Sequence, residues 1–260
     1  MFQTISNFMR VRDIRNKIIF TLLMLIVFRI GTFIPVPNVD ANVLKAVNEF
    51  NIVGFLNTFG GGALANFSIF AMGIMPYITA SIIVQLLQMD VVPKFAEWSK
   101  QGEVGRRKLA QFTRYFTIVL GFIQSFAMSY GFNAMYGGTL IKDTSIGSYL
   151  TIAIVLTAGT AFLLWLAEQI TAYGVGNGIS IIIFAGIVAA MPNAINQLYA
   201  QKIEGAGDQL FLNIVILLLL LLIMLAVIVG VIYVQQALRK IPIQYAKRVA
   251  GRGQVVGGQQ

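Results

Sequence analysis

The sequence predicts an all-α membrane protein with about six transmembrane helices and one short re-entrant helix. Three observations predict this class. Apolar residues make up 57% of the 260 residues and charged residues only 11%, against about 25% charged in an average soluble domain. The apolar residues are gathered into segments near the ~20 residues that a helix needs to cross the bilayer core. Lys and Arg are concentrated in alternate segments between these spans, as the positive-inside rule requires.

The first segments of the chain are a basic leader and a span that contains one arginine. Residues 1–17 carry four Lys and Arg, and the apolar run behind them is typical of an anchor, not of a cleavable signal peptide. The first span covers residues 18–34 and includes Arg29. An arginine at this depth costs about 2.5–3.5 kcal/mol on insertion scales. Two interpretations stay open: Arg29 faces a partner inside the bundle, or it extends to the outer membrane surface.

The next apolar segment is too long for a single span. No charged residue occurs between Glu49 and Asp90, and glycines at 60, 61 and 62 interrupt the segment. Residues 70–89 are long enough to cross, with a kink expected at Pro76. Residues 52–59 are too short to cross, and irregular backbone survives at membrane depth only inside protein or beside water. We therefore predict a re-entrant segment, held only by apolar contacts and more mobile than the last span.

Four further spans follow, and the basic residues set their orientation. They cover residues 115–132, 149–167, 179–198 and 210–234. Of the 19 Lys and Arg, 15 fall in the leader, in residues 90–114 and after Val234. These segments lie on the same side if the N-terminus is cytosolic, so we predict a multi-pass protein of the cytoplasmic membrane with an inside start.

Composition argues against catalysis. The chain contains no Cys and no His, which removes thiolate chemistry, the commonest general base and the commonest metal ligand. Glu168, at the end of the fourth span, is the only candidate acid near a membrane interface. We predict no catalytic residue, no metal site and no cofactor. An intramembrane enzyme is one alternative class. A fragment of a secondary transporter is another, although such proteins usually keep several charged residues inside the membrane.

Five blocks together resemble the SecY family, the large subunit of the bacterial secretion channel. They are FRIGTFIPVPNVD (28–40), FGGGALANFSIFAMGIMPYITASIIVQLL (59–87), GEVGRRKLAQFTRY (102–115), LAEQITAYGVGNGISIIIFAGIV (166–188) and RKIPIQYAKRV (239–249). The blocks stand in family order and extend over nearly the whole chain. The resemblance implies two inverted five-helix halves around an hourglass pore, of which this chain supplies one half and the first helix of the other.

The resemblance also implies roles for individual residues. The implied pore ring is Ile74, Ile78, Ile179 and Ile183. The implied plug is the segment 52–66, with Phe55, Leu56, Asn57, Phe59, Gly60, Gly61 and Leu64. The implied wall of a lateral gate, through which signal peptides leave sideways, comprises Thr79, Ile82, Gln85, Gln124 and Ser125. Its polar members are expected to form weak hydrogen bonds between the second and third spans.

The implied function is translocation of unfolded secretory proteins and insertion of membrane proteins. Implied partners are small SecE-like and SecG-like subunits, a SecA-type motor ATPase, the ribosome, signal peptides, nascent chains and the lipid bilayer. Basic residues expected to dock the ribosome or motor are Arg106, Arg107, Lys108, Arg239, Lys240, Lys247, Arg248 and Arg252, although topology alone also demands positive cytosolic loops.

The expected organisation is a leader (1–17), a five-span half (18–198), an external loop with the sixth span (199–234) and a cytosolic basic loop (235–260). The family's chain continues through four more spans, so we expect a truncated or split chain whose second half is supplied elsewhere.

Overall fold

The described residues form a series of helices and one short pair of strands. The computed structural model describes residues 11–40, 43, 57, 60–89, 91–200, 203, 210–237, 248–250 and 254–256. The helices are α1 (Arg12–Gly31), α2 (Met75–Gln88), α3 (Pro93–Lys100), α4 (Glu103–Met135), α5 (Ile146–Tyr173), α6 (Gly178–Tyr199) and α7 (Leu210–Gln235). Strands β1 (Arg248–Ala250) and β2 (Gln254–Val256) pair antiparallel, Arg248 opposite Val256. The basic tail, predicted as a loop, therefore contains extended structure.

The described helices fit a multi-pass membrane protein. Four of them, α4, α5, α6 and α7, are long and apolar enough to cross a bilayer, and α2 with α3 would add a fifth if this pair, bent by 92°, is one span. Each of the last four predicted spans falls within one of these helices. Helix α1 has 20 residues, which corresponds to about 30 Å, but it carries charged residues near both ends.

The second predicted span differs from the prediction. Residues 60–74 form turns, and α2 begins at Met75 with Pro76 in its first turn. Proline is accommodated there because the first helical N–H groups have no intrahelical acceptor. The expected kink at Pro76 is therefore wrong: Pro76 starts the helix. Helix α2 has only 14 residues, about 21 Å of rise.

Helix α4 extends well beyond the predicted span. Its 33 residues correspond to about 50 Å, so its first turns project past a bilayer core of about 30 Å. One face of α4 is buried along its whole length and repeats every four residues: Gly105, Leu109, Thr113, Thr117, Gly121, Ser125, Ser129 and Asn133. Small residues at this spacing allow neighbouring helices to approach closely.

Backbone hydrogen bonds join the turns that precede α2 to the segment that follows α1. Val36 N–H donates to Phe67 O at 3.0 Å, and Ile69 N–H donates to Ile34 O at 3.0 Å. An added Cβ at Gly159 on α5 would lie 1.9 Å from Ile69 O. Only glycine fits there, so α5 fixes the course of the chain that leads into α2.

The chain divides into two compact units, Met1–Ala194 and Ile195–Gln260. The first contains α1 to α5 and most of α6. The second contains α7, whose large apolar side chains from Phe211 to Val234 are broadly exposed. A helix that is apolar on all sides requires lipid or other protein around it.

Candidate functional site

The four isoleucines of the implied pore ring belong to one apolar cluster. Ile74 is the N-cap residue of α2 and is 6% exposed, and Ile78 lies one turn further along. Ile179 and Ile183 lie in the first two turns of α6. Ile74 is buried in this cluster, and the other three isoleucines are partly buried against it. The structure thus brings together residues that are about one hundred positions apart in sequence.

The start of α6 is fixed by a side-chain cap. Asn177 Oδ1 accepts hydrogen bonds from the N–H groups of Ile179 at 3.0 Å and Ser180 at 3.5 Å. Asn is a strongly preferred N-cap residue because its oxygen satisfies donors that have no partner in the helix. Gly178 lies against α5, since an added Cβ would be 1.9 Å from Ala167 O. The cap sets where α6 begins, and the contact of Gly178 with α5 positions Ile179 and Ile183 relative to that helix.

An apolar cavity of about 170 Å³ adjoins this cluster. Ile74, Ile78 and Ile183 line it, together with Gly60 and Leu64 of the implied plug. An apolar wall gives water few hydrogen-bond partners, so such a constriction resists wetting. The remaining lining residues are Phe28, Ala71, Met72, Gly73, Met75, Met128, Leu163 and Ile182.

The glycines beside the cavity form a turn that other residues could adopt only with strain. Gly61 and Gly62 have φ of +63° and +88°. Arg29 Nη1 donates a hydrogen bond to Gly61 O at 2.5 Å, and its guanidinium lies 4.7 Å from the centre of the Phe33 ring. Of the two interpretations of Arg29, the one with a partner inside the protein is therefore the one observed.

The described part of the implied plug is held by more than apolar contacts. Asn57 O accepts a hydrogen bond from Gly62 N–H at 3.1 Å, and Asn57 Oδ1 accepts one from Ala65 N–H at 2.8 Å. Leu64 is 2% exposed. The expectation that only apolar contacts hold this segment is wrong for these residues. Phe55, Leu56 and Phe59 lie outside the described residues.

The implied gate residues lie on two helices that pack together. Thr79, Ile82 and Gln85 are on α2, and Gln124 and Ser125 are on α4. Thr79 Oγ1 donates to Met75 O within its own helix at 3.1 Å. Ser125 Oγ is buried without a hydrogen-bond partner. Within the described part of the chain, the expected hydrogen bonds between these two helices are not formed.

Three of the basic residues expected to dock a partner, Arg106, Arg107 and Lys108, are exposed. Arg106, Arg107 and Lys108 lie in the first turns of α4. Arg107 forms an ion pair with Glu103 at 2.7 Å in which both side chains are over three-quarters exposed, an arrangement worth little stability. Arg248 begins β1, while Arg239, Lys240, Lys247 and Arg252 lie outside the described residues.

Sequence reasoning missed two features of this region. Gly61 lies against α6, since an added Cβ would be 3.0 Å from Gly186 Cα, and no local pattern links these two glycines. Arg114 Nε on α4 forms an ion pair with Glu168 Oε1 on α5 at 2.5 Å. The sequence contained a signal for this pair, because Arg114 directly precedes the third predicted span and Glu168, of opposite charge, directly follows the fourth. Among the described residues, no group of three acidic side chains could hold a metal ion.

Comparisons with a family model and with individual relatives indicate the same family. The SecY family model matches residues 68–260. The protein translocase subunit SecY of Bacillus licheniformis is 74% identical over 259 residues, and that of Bacillus subtilis is 70% identical over 259 residues. Each match covers 100% of this chain and 60% of the relative, so the chain spans about 60% of the length of these relatives.

Solved structures also resemble the chain. One described as a protein-conducting channel is 20% identical, with a TM-score of 0.49, and the match covers 94% of this chain and 52% of the other. A structure of Sec61 in a canine ribosome–channel complex is 20% identical, with a TM-score of 0.48, and the match covers 73% of this chain and 38% of the other.

Proposed function

This chain belongs to the SecY family, and on that premise we propose that it forms part of a channel for unfolded polypeptides. The channel would translocate secretory proteins and insert membrane proteins in the bacterial cytoplasmic membrane. The observation that carries the proposal is the convergence of Ile74, Ile78, Ile179 and Ile183 in one apolar cluster beside a glycine turn. Membership of the SecY family argues against the alternative that the chain is a fragment of a secondary transporter.

The isoleucine ring would act as a seal at the narrowest point of the pore. Branched apolar side chains resist wetting, and a ring that excludes water also excludes ions. The same side chains can change rotamer around a passing polypeptide without binding it tightly, because they offer no hydrogen-bonding groups. A channel for many sequences requires this lack of specificity.

We propose six crossings with a cytosolic N-terminus. Helices α4 to α7 supply four crossings, and α2 with the turns before it supplies one. Helix α1 supplies the other, because its 20 residues reach across the core and its deep Arg29 has partners within the protein. The inside start follows from the distribution of Lys and Arg.

The segment 52–66 would be the plug, and α2 with α4 would form one wall of the lateral gate. Support for the plug comes from Gly60 and Leu64, which line the same cavity as the isoleucines. Support for the gate comes from the packing of α2 against α4, in which none of the described polar gate residues forms a hydrogen bond between the two helices. A seam without strong polar contacts can separate at low cost.

Partners would include the ribosome, a SecA-type motor, and small SecE-like and SecG-like subunits. The exposed Arg106, Arg107 and Lys108 on the projecting end of α4 support a docking role on the cytosolic side. Ribosomal RNA attracts such residues through its phosphates without regard to sequence.

Polar replacement of the isoleucine ring tests the function. In the full-length protein, Ile78→Asn with Ile183→Asn should wet the constriction and raise resting ion conductance in reconstituted membranes. The matched control is Ile123→Asn with Ile187→Asn, which places the same polar groups at side chains 57% and 40% exposed. Equal conductance in both variants would refute the pore assignment. Deletion of 52–66 should also raise conductance while the spans still insert.

A further inference from the structure

Arg29 is a charged group that the sequence places deep in the first predicted span, and it contacts a backbone carbonyl and an aromatic ring of the protein. It lies in the last turn of α1, about 18 Å along the helix from Lys17. The neighbouring apolar side chains of Ile30 and Phe33 are each 59% exposed, which places Arg29 beside a surface suited to lipid. A guanidinium in such surroundings is stable only if protein or water solvates it.

The partner that Arg29 has is a backbone carbonyl of the glycine turn. Its Nη1 donates to Gly61 O at 2.5 Å, and its guanidinium lies over the Phe33 ring. A charged donor makes a stronger hydrogen bond than a neutral one, and low polarity strengthens it further. The bond therefore fixes one residue of the implied plug to α1.

The same glycine also touches α6. An added Cβ at Gly61 would lie 3.0 Å from Gly186 Cα, so the two backbones are nearly in contact. Three elements thus meet at Gly61: the end of α1, the glycine turn and α6. Apolar packing alone can slide, whereas a hydrogen bond with defined geometry selects one position of the turn.

We propose that Arg29 is the positioning residue of the plug. Its hydrogen bond to Gly61 O holds the glycine turn against α6 in the closed channel and breaks when the plug moves aside. The inference rests on the proposed function of 52–66 as a plug. Loss of the bond should make the displaced state easier to reach, by roughly ten- to a hundredfold, the usual effect of one hydrogen bond to a charged group.

Thiol labelling tests the inference directly because residues 1–260 contain no Cys, and any Cys elsewhere in the full-length protein is replaced by Ser. In the full-length protein, Ala63→Cys reports on the turn, and Ala153→Cys on α5 is the matched control; both alanines are 0% exposed. With Arg29→Ala, a water-soluble maleimide should label position 63 roughly ten- to a hundredfold faster. Labelling at position 153 should not change. Arg29→Lys, which still donates, should restore much of the slow rate.

Two results would overturn the proposal: an unchanged rate at position 63, or an equal rise at both positions, which would mean general loosening. If Arg29→Ala fails to fold, Arg29→Gln replaces it, because its amide keeps much of the side-chain volume and a neutral hydrogen-bond donor. Its weaker hydrogen bond should give a smaller but measurable rise at position 63 alone. Conductance of the 52–66 deletion separates the two claims. If the deletion raises conductance but Arg29→Ala does not change the labelling rate at position 63, only the positioning role of Arg29 is refuted. If the deletion does not raise conductance, the assignment of 52–66 as a plug is refuted.

Discussion

Alanine substitutions at two adjacent glycines of the turn before α2 distinguish backbone strain from a steric contact. Gly61 and Gly62 have φ of +63° and +88°. Alanine in the left-handed region costs roughly 1–2 kcal/mol. That cost is present in the closed state and is relieved if the turn relaxes when the plug moves. Each 1.4 kcal/mol is a factor of ten, so strain alone should favour the displaced state by about five- to thirtyfold.

The two positions differ in the space available to a methyl group. At Gly62 an added Cβ meets nothing within 4 Å, whereas at Gly61 it lies 3.0 Å from Gly186 Cα. A backbone atom cannot rotate away, and overpacking of this kind costs typically 1–3 kcal/mol. Gly61→Ala should therefore destabilise the closed state by about 2–5 kcal/mol in total, more than about thirtyfold.

Resting ion conductance and labelling of Ala63→Cys in the full-length protein measure both variants. Conductance and labelling rate should both be highest in Gly61→Ala, intermediate in Gly62→Ala and lowest in the unsubstituted protein. Equal values for the two variants would show that Gly186 does not confine the turn. Values equal to the unsubstituted protein in both would mean that the turn does not keep this conformation in the closed channel, and the reasoning would fail.

Three further predictions concern the surface and the gate. Arg248→Glu with Arg252→Glu should weaken ribosome or motor binding. The slope of the logarithm of the binding constant against the logarithm of the salt concentration should flatten by roughly 0.7–0.9 per lost phosphate contact. Binding that does not depend on salt would show that these charges serve only to orient the spans in the membrane. A photocrosslinker at Gln124 should capture an arriving signal peptide, and capture of lipid alone would contradict a gate role. Hydrogen bonds from the side chain and backbone N–H of Ser145 lower the pKa of Asp143. These hydrogen bonds should stabilise the start of α5 fully above about pH 4, and the stabilisation should be lost as the pH falls through the lowered pKa of Asp143. Protection of the amides at the start of α5 from hydrogen exchange should therefore decrease in acid, and Asp143→Asn should abolish that decrease.

The sequence predicted the spans more reliably than the segment between the first two. The last four predicted spans coincide with helices because an uninterrupted apolar run of about 20 residues has few alternatives in a bilayer. Residues 60–74 are uncharged as well, yet they form turns, including residues 70–74, which were predicted to begin the second span. Their course is set by contacts far away in sequence, such as Gly159 against Ile69 O. Local periodicity contains no information on such contacts.

The residues of the candidate site were likewise only partly predictable from the sequence. Ile78 and Ile183 could be assigned only by resemblance, since isoleucine at helical spacing is usually packing or lipid-facing. Arg29 could be identified from the sequence as a costly residue needing a partner, but its partner is a backbone carbonyl 32 residues away. Carbonyl groups are identical in every residue, so only the folded structure could select Gly61.

Helix α6 is attached at one end, which constrains how it can move. Gly178 N–H donates to Thr171 Oγ1 of α5 at 2.9 Å, and the close approach of Gly178 to Ala167 O leaves no room for a shift. Any tilt of α6 therefore pivots near Gly178. Displacement then grows with distance along the helix, at 1.5 Å of rise per residue.

Along α6 the residues of the site follow in a fixed order from this pivot: Ile179, Ile183 and then Gly186. Gly186 lies about 12 Å from the pivot, so a tilt of about 10° moves it by about 2 Å, while Ile179 moves by only about 0.3 Å. A shift of about 2 Å is enough to end the contact between Gly186 and Gly61, because dispersion contacts weaken within about 1 Å of separation. By the same geometry Ile183, about 7.5 Å from the pivot, moves by about 1.3 Å, so a tilt that separates Gly186 from Gly61 also shifts the Ile183 side of the isoleucine cluster. On the proposed function, release of the glycine turn and widening of the pore would therefore be coupled through α6.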